Sequence, residues 1–302
     1  MRKTLGAVAL LLLLAAGVVV NSRLPAPQVK AREAVGDAII KNTMATGAPA
    51  IEFYEVSGAP LVVLHPSLGR EASDFNELAT KLNDIGYGFY IIEPAGISKV
   101  AMNQVLPKRT EIQSVTIPIA RAMELREAVI VGHAYGNRVA RMTAHQYPDK
   151  VKAVILLAAG GQVPMPPRAE QSLKNIFNPL RTYRSRMKDV EYAFFAEGND
   201  IPDYWKRGWH TKTAMAQAKA VANSADNDSW HCAGGVPMLI VQPMQDRIAP
   251  IENAYALKEK CPQEVEIVEI QNAGHALLPE QPEAVATAVL DFLSKHHPLP
   301  PE

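Results

Sequence analysis

From Ile51 onward the chain alternates short apolar runs with segments of helical spacing. Residues 61–64 are wholly apolar and run into a His65-Pro66-Ser67-Leu68-Gly69 turn. Residues 71–83 follow, with Phe75, Leu78 and Leu82 on one helical face and Gly86 as a stop. Residues 88–92 read as a second buried strand. A helix is predicted over 114–127, a short apolar strand over 128–132, and a helix from Asn137 that ends before Pro148. Residues 151–158, 237–241 and 265–270 are further strands, and 282–296 is a closing helix before a Pro-rich tail. Strands without polar alternation, separated by helices, predict a mostly parallel sheet covered on both faces, hence an α/β fold.

Two stretches break the rhythm. Residues 23–50 read as a polar linker and a short helix. Residues 161–235 hold all three tryptophans, Trp205, Trp209 and Trp230, and no convincing buried strand. They are expected to form a helical cap over an α/β core made of 51–160 and 236–302. The cap aromatics either glue it to the core or line a pocket for an apolar ligand.

Residues 1–22 carry a different signature. Arg2 and Lys3 precede an uncharged apolar run over 5–20. As a helix that run spans roughly 24 Å, short for a ~30 Å bilayer core. A cleavable export signal fits better than an uncleaved anchor, and Val20-Asn21-Ser22 offers a weak cleavage site. The expected location is periplasmic or extracellular, with membrane contact only through this segment if it is retained. The chain has two cysteines, Cys232 and Cys261. In an oxidising compartment they permit one disulfide; the alternative is two separate thiols.

Composition narrows the function classes. The 302 residues carry 31 Lys+Arg against 31 Asp+Glu. That balance disfavours a nucleic-acid partner, which would require a basic face. The eight histidines show no H-x-x-x-H spacing, and no C-x-x-C occurs, so no metal or other cofactor is expected.

The chemistry concentrates in four loops. Gly132-His133-Ala134-Tyr135-Gly136 follows a buried strand and opens a helix. Asp246 follows the 237–241 strand within Gln242-Pro243-Met244-Gln245-Asp246-Arg247, and His275 follows the last strand within Asn272-Ala273-Gly274-His275. Together these resemble the α/β-hydrolase superfamily: its nucleophile elbow, then its acid loop, then its histidine loop, in that chain order. The resemblance extends over nearly the whole chain beyond the N-terminal segment. It implies Asp246 and His275 as an acid–base pair. It also implies the backbone N–H groups of Ser67 and Tyr135 as oxyanion donors. Pro66 stands where the family usually has Gly. Glu93 and Ser98 resemble a structural D-x-x-G-x-S loop.

The elbow departs from the superfamily at its centre, because position 134 is Ala where a nucleophile is expected. The surrounding residues through Arg141, with Phe194 to Asp200, Trp205 and Trp209, resemble a bacterial subgroup with Ala at this point. Alanine has no lone pair, so an ordinary acyl-serine hydrolase is excluded. Losing a serine nucleophile typically costs ~10⁶ in kcat. Two classes of function remain. One is an enzyme in which His275, oriented by Asp246, deprotonates water or a small apolar ester, lactone or carbonyl substrate. The other is a retired hydrolase scaffold that binds a small apolar ligand without turning it over. His65, Trp209 and His210 are further candidates for the pocket wall.

Overall fold

The apolar runs become strands because both of their faces are covered. The computed structural model describes residues 33–35, 39–43, 51–97, 106–124, 126–224, 230–261 and 265–301. The expected export signal over 1–22, and Ser98, lie outside the described residues. In chain order the elements are β1 (Ile39–Thr43), β2 (Ile51–Val56), β3 (Leu61–His65), α1 (Asn76–Ile85), β4 (Gly88–Glu93), α2 (Ile112–Ala122), β5 (Ala128–His133), α3 (Tyr135–Gln146) and β6 (Val151–Leu157). There follow α4 (Pro167–Ile176), α5 (Tyr183–Phe194), α6 (Thr211–Asn223), β7 (Met238–Pro243), α7 (Glu252–Lys260), β8 (Val265–Ile270), α8 (Leu277–Glu280) and α9 (Pro282–His296).

The strands form one sheet in the order β1-β2-β4-β3-β5-β6-β7-β8. Strands β3 to β8 pair in parallel, and β2 runs antiparallel to its neighbours β1 and β4. Successive side chains on a strand point to opposite faces. Accordingly Val63, Ile130 and Ile240 join one apolar cluster with Val115 and Ile119 of α2 and Val139 of α3. Val62, Leu64, Val131 and Val241 join the other, with Leu78 and Leu82 of α1 and Val289 and Phe292 of α9. Each fully buried aliphatic side chain contributes about 1.5–3 kcal/mol. Both faces are stabilised this way, so polar alternation never had to appear in the sequence.

Two expectations need correction. The short helix expected within 23–50 is not seen over 39–43, where the chain forms β1, with Ile39 opposite Glu55 and Thr43 opposite Ile51. The antiparallel edge of β2 offers a row of backbone partners, and this outweighs a weak local helical preference. The helix expected over 114–127 starts at Ile112 and ends at Ala122. Its chain then turns at Glu124, where φ is 54°, to enter β5.

Between β6 and β7 the described elements are helical: α4, α5, α6 and short 3-10 turns. Trp205 and Trp209 pack here with Phe194, and Arg70 from the β3 loop lies over both indole rings. Arg70 also pairs with Asp74 at 2.6 Å in a buried ion pair. The segment is therefore fastened to the sheet by stacking and charge together. Cys232 and Cys261 form a disulfide with Cα atoms 5.3 Å apart, tying the entry to β7 to the end of α7. Among the described residues, no helix is long and apolar enough to cross a membrane.

Candidate active site

The site begins at the junction of β5 and α3. Ala134 sits between them with φ 50° and ψ −101°, a conformation L-residues rarely adopt. Two glycines allow the reversal. A Cβ on Gly132 would overlap the Gly136 carbonyl, and a Cβ on Gly136 would overlap the His65 carbonyl of β3. The elbow therefore needs glycine on either side of Ala134 for space. Tyr135 is the first residue of α3, so its N–H has no acceptor within the helix and adds to the positive end of the helix dipole.

Asp246 lies in the loop after β7. Its Oδ1 accepts hydrogen bonds from the Ile248 and Ala249 N–H groups, both at 2.8 Å. Its Oδ2 lies 2.8 Å from Nδ1 of His275, and both residues are buried. A carboxylate can only accept, so Nδ1 carries the proton and Nε2 is left as the basic nitrogen. The carboxylate is thus fixed by three donors, and the imidazole is fixed in one tautomer.

The histidine loop has its own supports. Glu280 accepts from the Gly274 N–H at 2.7 Å, the Ala196 N–H at 2.7 Å and Asn199 Nδ2 at 2.8 Å. The Ala276 N–H donates to the Phe194 carbonyl at 2.8 Å. A Cβ on Gly274 would stand 2.6 Å from that same carbonyl oxygen. Glu280 thereby joins the loop carrying His275 to the end of α5. Sequence reasoning missed it, because a glutamate five positions past the histidine has no distinguishing pattern.

His133 Nε2 donates to the His275 carbonyl at 2.8 Å. Burial, and then the neighbouring His275, push the His133 pKa down to about 3. Burial likewise pushes His65 to about 4, opposed in part by its contact with the Pro66 carbonyl. Both rings stay neutral in the fold well below the pH at which they would protonate in the unfolded chain. Their contribution to stability is therefore complete above about pH 6.5 and is lost as pH falls toward 4 and 3. Glu93 acts in the opposite sense, since burial and the nearby Glu71 raise it to about 8. A difference measurement isolates the histidine effect. His133→Gln is expected to lose less stability between pH 7 and pH 4.5 than wild type, as read from urea midpoints at both pH values. An equal loss in the two proteins would count against a buried neutral His133.

Ser67, Ala134, Tyr135 and His275 share one cavity of about 330 Å³. Phe194 of α5, Leu173 of α4 and Val221 of α6 supply apolar walls from the helical segment. Asp246 stands behind His275 rather than on the wall. The other pocket candidates lie elsewhere. His65 is buried beside Tyr135, ring centroids 5.7 Å apart. His210 pairs with Glu71 at 2.7 Å. Trp209 stacks on Phe194 and donates from Nε1 to the Trp205 carbonyl at 2.8 Å. None of the three lines this cavity, and Trp209 and His210 serve to hold the helical segment down.

A family model described as the Alpha/beta hydrolase family matches residues 62–288. The chain belongs to that family. The match runs from β3 into α9 and includes the elbow, Asp246 and His275. Protein ABHD8 of Mus musculus is 27% identical over 180 residues, which cover 55% of this chain and 39% of that protein. The chain thus spans about two fifths of the length of the mammalian relatives it matches. A pyrethroid hydrolase of Sphingobium wenxiniae is 24% identical over 196 residues, covering 60% of this chain and 70% of that one. Among solved structures, a bacterial membrane phospholipase A superposes with a TM-score of 0.68 at 19% identity, covering 98% of this chain and 99% of that one. A thermophilic esterase from Thermogutta terrifontis gives 0.68 at 21% identity, covering 87% and 100%. At these identities the superpositions establish a shared fold.

Proposed function

We propose that this alpha/beta hydrolase family member acts on a small apolar ester, lactone or related carbonyl compound, with His275 as general base. The observation that carries the reading is the 2.8 Å contact between Asp246 and His275, with His275 and Ala134 lining one cavity. In the simplest scheme His275 Nε2 takes a proton from a water held above the Ala134 methyl. The hydroxide so formed attacks the carbonyl carbon, and the carbonyl π electrons move onto oxygen. The Ser67 and Tyr135 N–H groups donate hydrogen bonds to that oxyanion. Collapse re-forms the carbonyl and breaks the C–O bond. The leaving alkoxide takes the proton back from His275, and Asp246 stabilises the imidazolium in between.

The activities by which the relatives are named, pyrethroid hydrolase, esterase and phospholipase, support an ester among the substrate classes. The apolar run over 5–20 supports export with 1–22 as the signal, and a disulfide fits an oxidising compartment. Ala134 supports a second reading, a binding protein on a hydrolase scaffold, because no side chain at the elbow can form an acyl-enzyme. Hydrolysis of 4-nitrophenyl acetate, butyrate and octanoate separates the two. The enzyme reading expects linear release of nitrophenol above the buffer rate, without an initial burst. Turnover at the buffer rate on all three esters would overturn it in favour of the binding protein.

A further inference from the structure

We propose that the cavity selects ligands that carry a carboxylate on an apolar body, and that Arg138 is the group that recognises it. The inference deepens the reading of this cavity as the ligand site and rests on that reading. Arg138 lies on α3, one helical turn beyond Ala134, and lines the same cavity as Ala134 and His275. Its neighbours there include Val163, Met165 and Leu173, so the walls around the guanidinium are largely apolar.

Gly161, at the entry to the helical segment, has φ +97°, and a Cβ there would stand 2.7 Å from a terminal nitrogen of Arg138. The positive φ alone favours glycine there, and the end of the flexible Arg138 side chain lies against it. Yet among the described residues the cation has no ion pair and no hydrogen-bond acceptor. It interacts electrostatically with Tyr135 and with Arg141. The Tyr135 hydroxyl is itself buried and without a partner. Arg141, three residues further along α3, is fully buried, with both terminal nitrogens unpartnered and the Trp230 ring 4.9 Å away. Burial lowers the pKa of both arginines; Tyr135 opposes the shift at Arg138, and the Arg138 charge adds to it at Arg141.

Asp246, the acid of the site, is already committed to His275 and two backbone N–H groups. Its ion pair is with His275, not with Arg138. Arg138 is half-buried, and its guanidinium opens onto the cavity with no carboxylate paired to it among the described residues. Its planar fork of donors matches a carboxylate in two parallel hydrogen bonds, and an apolar surround strengthens such a pair. A carboxylate-bearing ligand would satisfy the guanidinium and leave its apolar body against Phe194 and Leu173.

The test compares octanoate with octanamide, which has the same chain and a neutral head. Calorimetric titration of the wild-type chain is expected to show octanoate binding roughly tenfold or more tightly than octanamide. Arg138→Met keeps much of the aliphatic stem and is expected to abolish that preference by weakening octanoate alone. Arg138→Lys keeps the charge without the fork and is expected to retain part of the preference. It also serves as the informative variant if Arg138→Met does not fold. Equal affinity for the two ligands in wild type would overturn the proposal, as would a preference that survives in Arg138→Met or failure of both ligands to bind. The measurement needs no turnover. Loss of the base mechanism would leave a carboxylate preference intact, and loss of the preference would leave ester hydrolysis intact.

Discussion

Ala134→Ser is expected to raise kcat/KM for 4-nitrophenyl butyrate by at least ~10³-fold and to introduce a burst of nitrophenol of about one per chain. The elbow backbone already holds the positive φ that a nucleophile at this position would occupy. The substitution adds one oxygen to a methyl that faces a cavity, so no core contact has to be displaced. His275 stands on the same wall with Nδ1 committed to Asp246, which leaves Nε2 to take the hydroxyl proton. The attack would then come from a fixed oxygen rather than a mobile water. That change is the source of the gain, since a positioned nucleophile has already given up much of the entropy of the encounter. The gain should fall short of the ~10⁶ seen when a serine is removed from an intact triad, because nothing has tuned the new hydroxyl's alignment. A variant with no burst and wild-type rates would mean that the methyl at 134 does not face the basic nitrogen.

The second large effect concerns the base itself. His275→Ala is expected to lower wild-type ester hydrolysis by ~10²–10⁴-fold. Asp246→Asn should approach the same loss, since an amide in place of the carboxylate no longer stabilises the imidazolium and can hold the wrong tautomer. The two losses should not add, because both residues act through one proton transfer. Circular dichroism and urea midpoints should accompany the rates. His275 is buried against Phe194, ring centroids 5.3 Å apart, so its removal also costs packing. Ester turnover unchanged in a folded His275→Ala protein would end the general-base reading.

Much of this site could be read before any coordinates. The order of the elbow, the Asp246 loop and the His275 loop was legible through the superfamily resemblance, because each follows an apolar run that forms a strand. Gly132 and Gly136 were legible for the same reason, since a sharp reversal between strand and helix restricts the residues that fit. The strand β1 was not, because its pairing depends on the edge of β2 rather than on its own five residues. The pocket wall was read only in part. Trp209 and His210 have the chemistry of pocket residues, but their partners are Phe194, Arg70 and Glu71. Arg138 and Glu280 offered no local pattern, and both sit where the helical segment meets the core.

The amino-acid order alone determined the class of fold, the turn at position 134 and the chemical fact that a methyl group there cannot attack. Those follow from local stereochemistry and from burial on both faces of a sheet. Only the tertiary structure decided which distant residues meet. Asp246 reaches His275 across 29 residues, and the Gly161 backbone gives room to the Arg138 side chain. Such meetings depend on how whole layers close over one another. No single stretch of chain carries that information, because its side chains choose their neighbours only after the sheet and helices have packed.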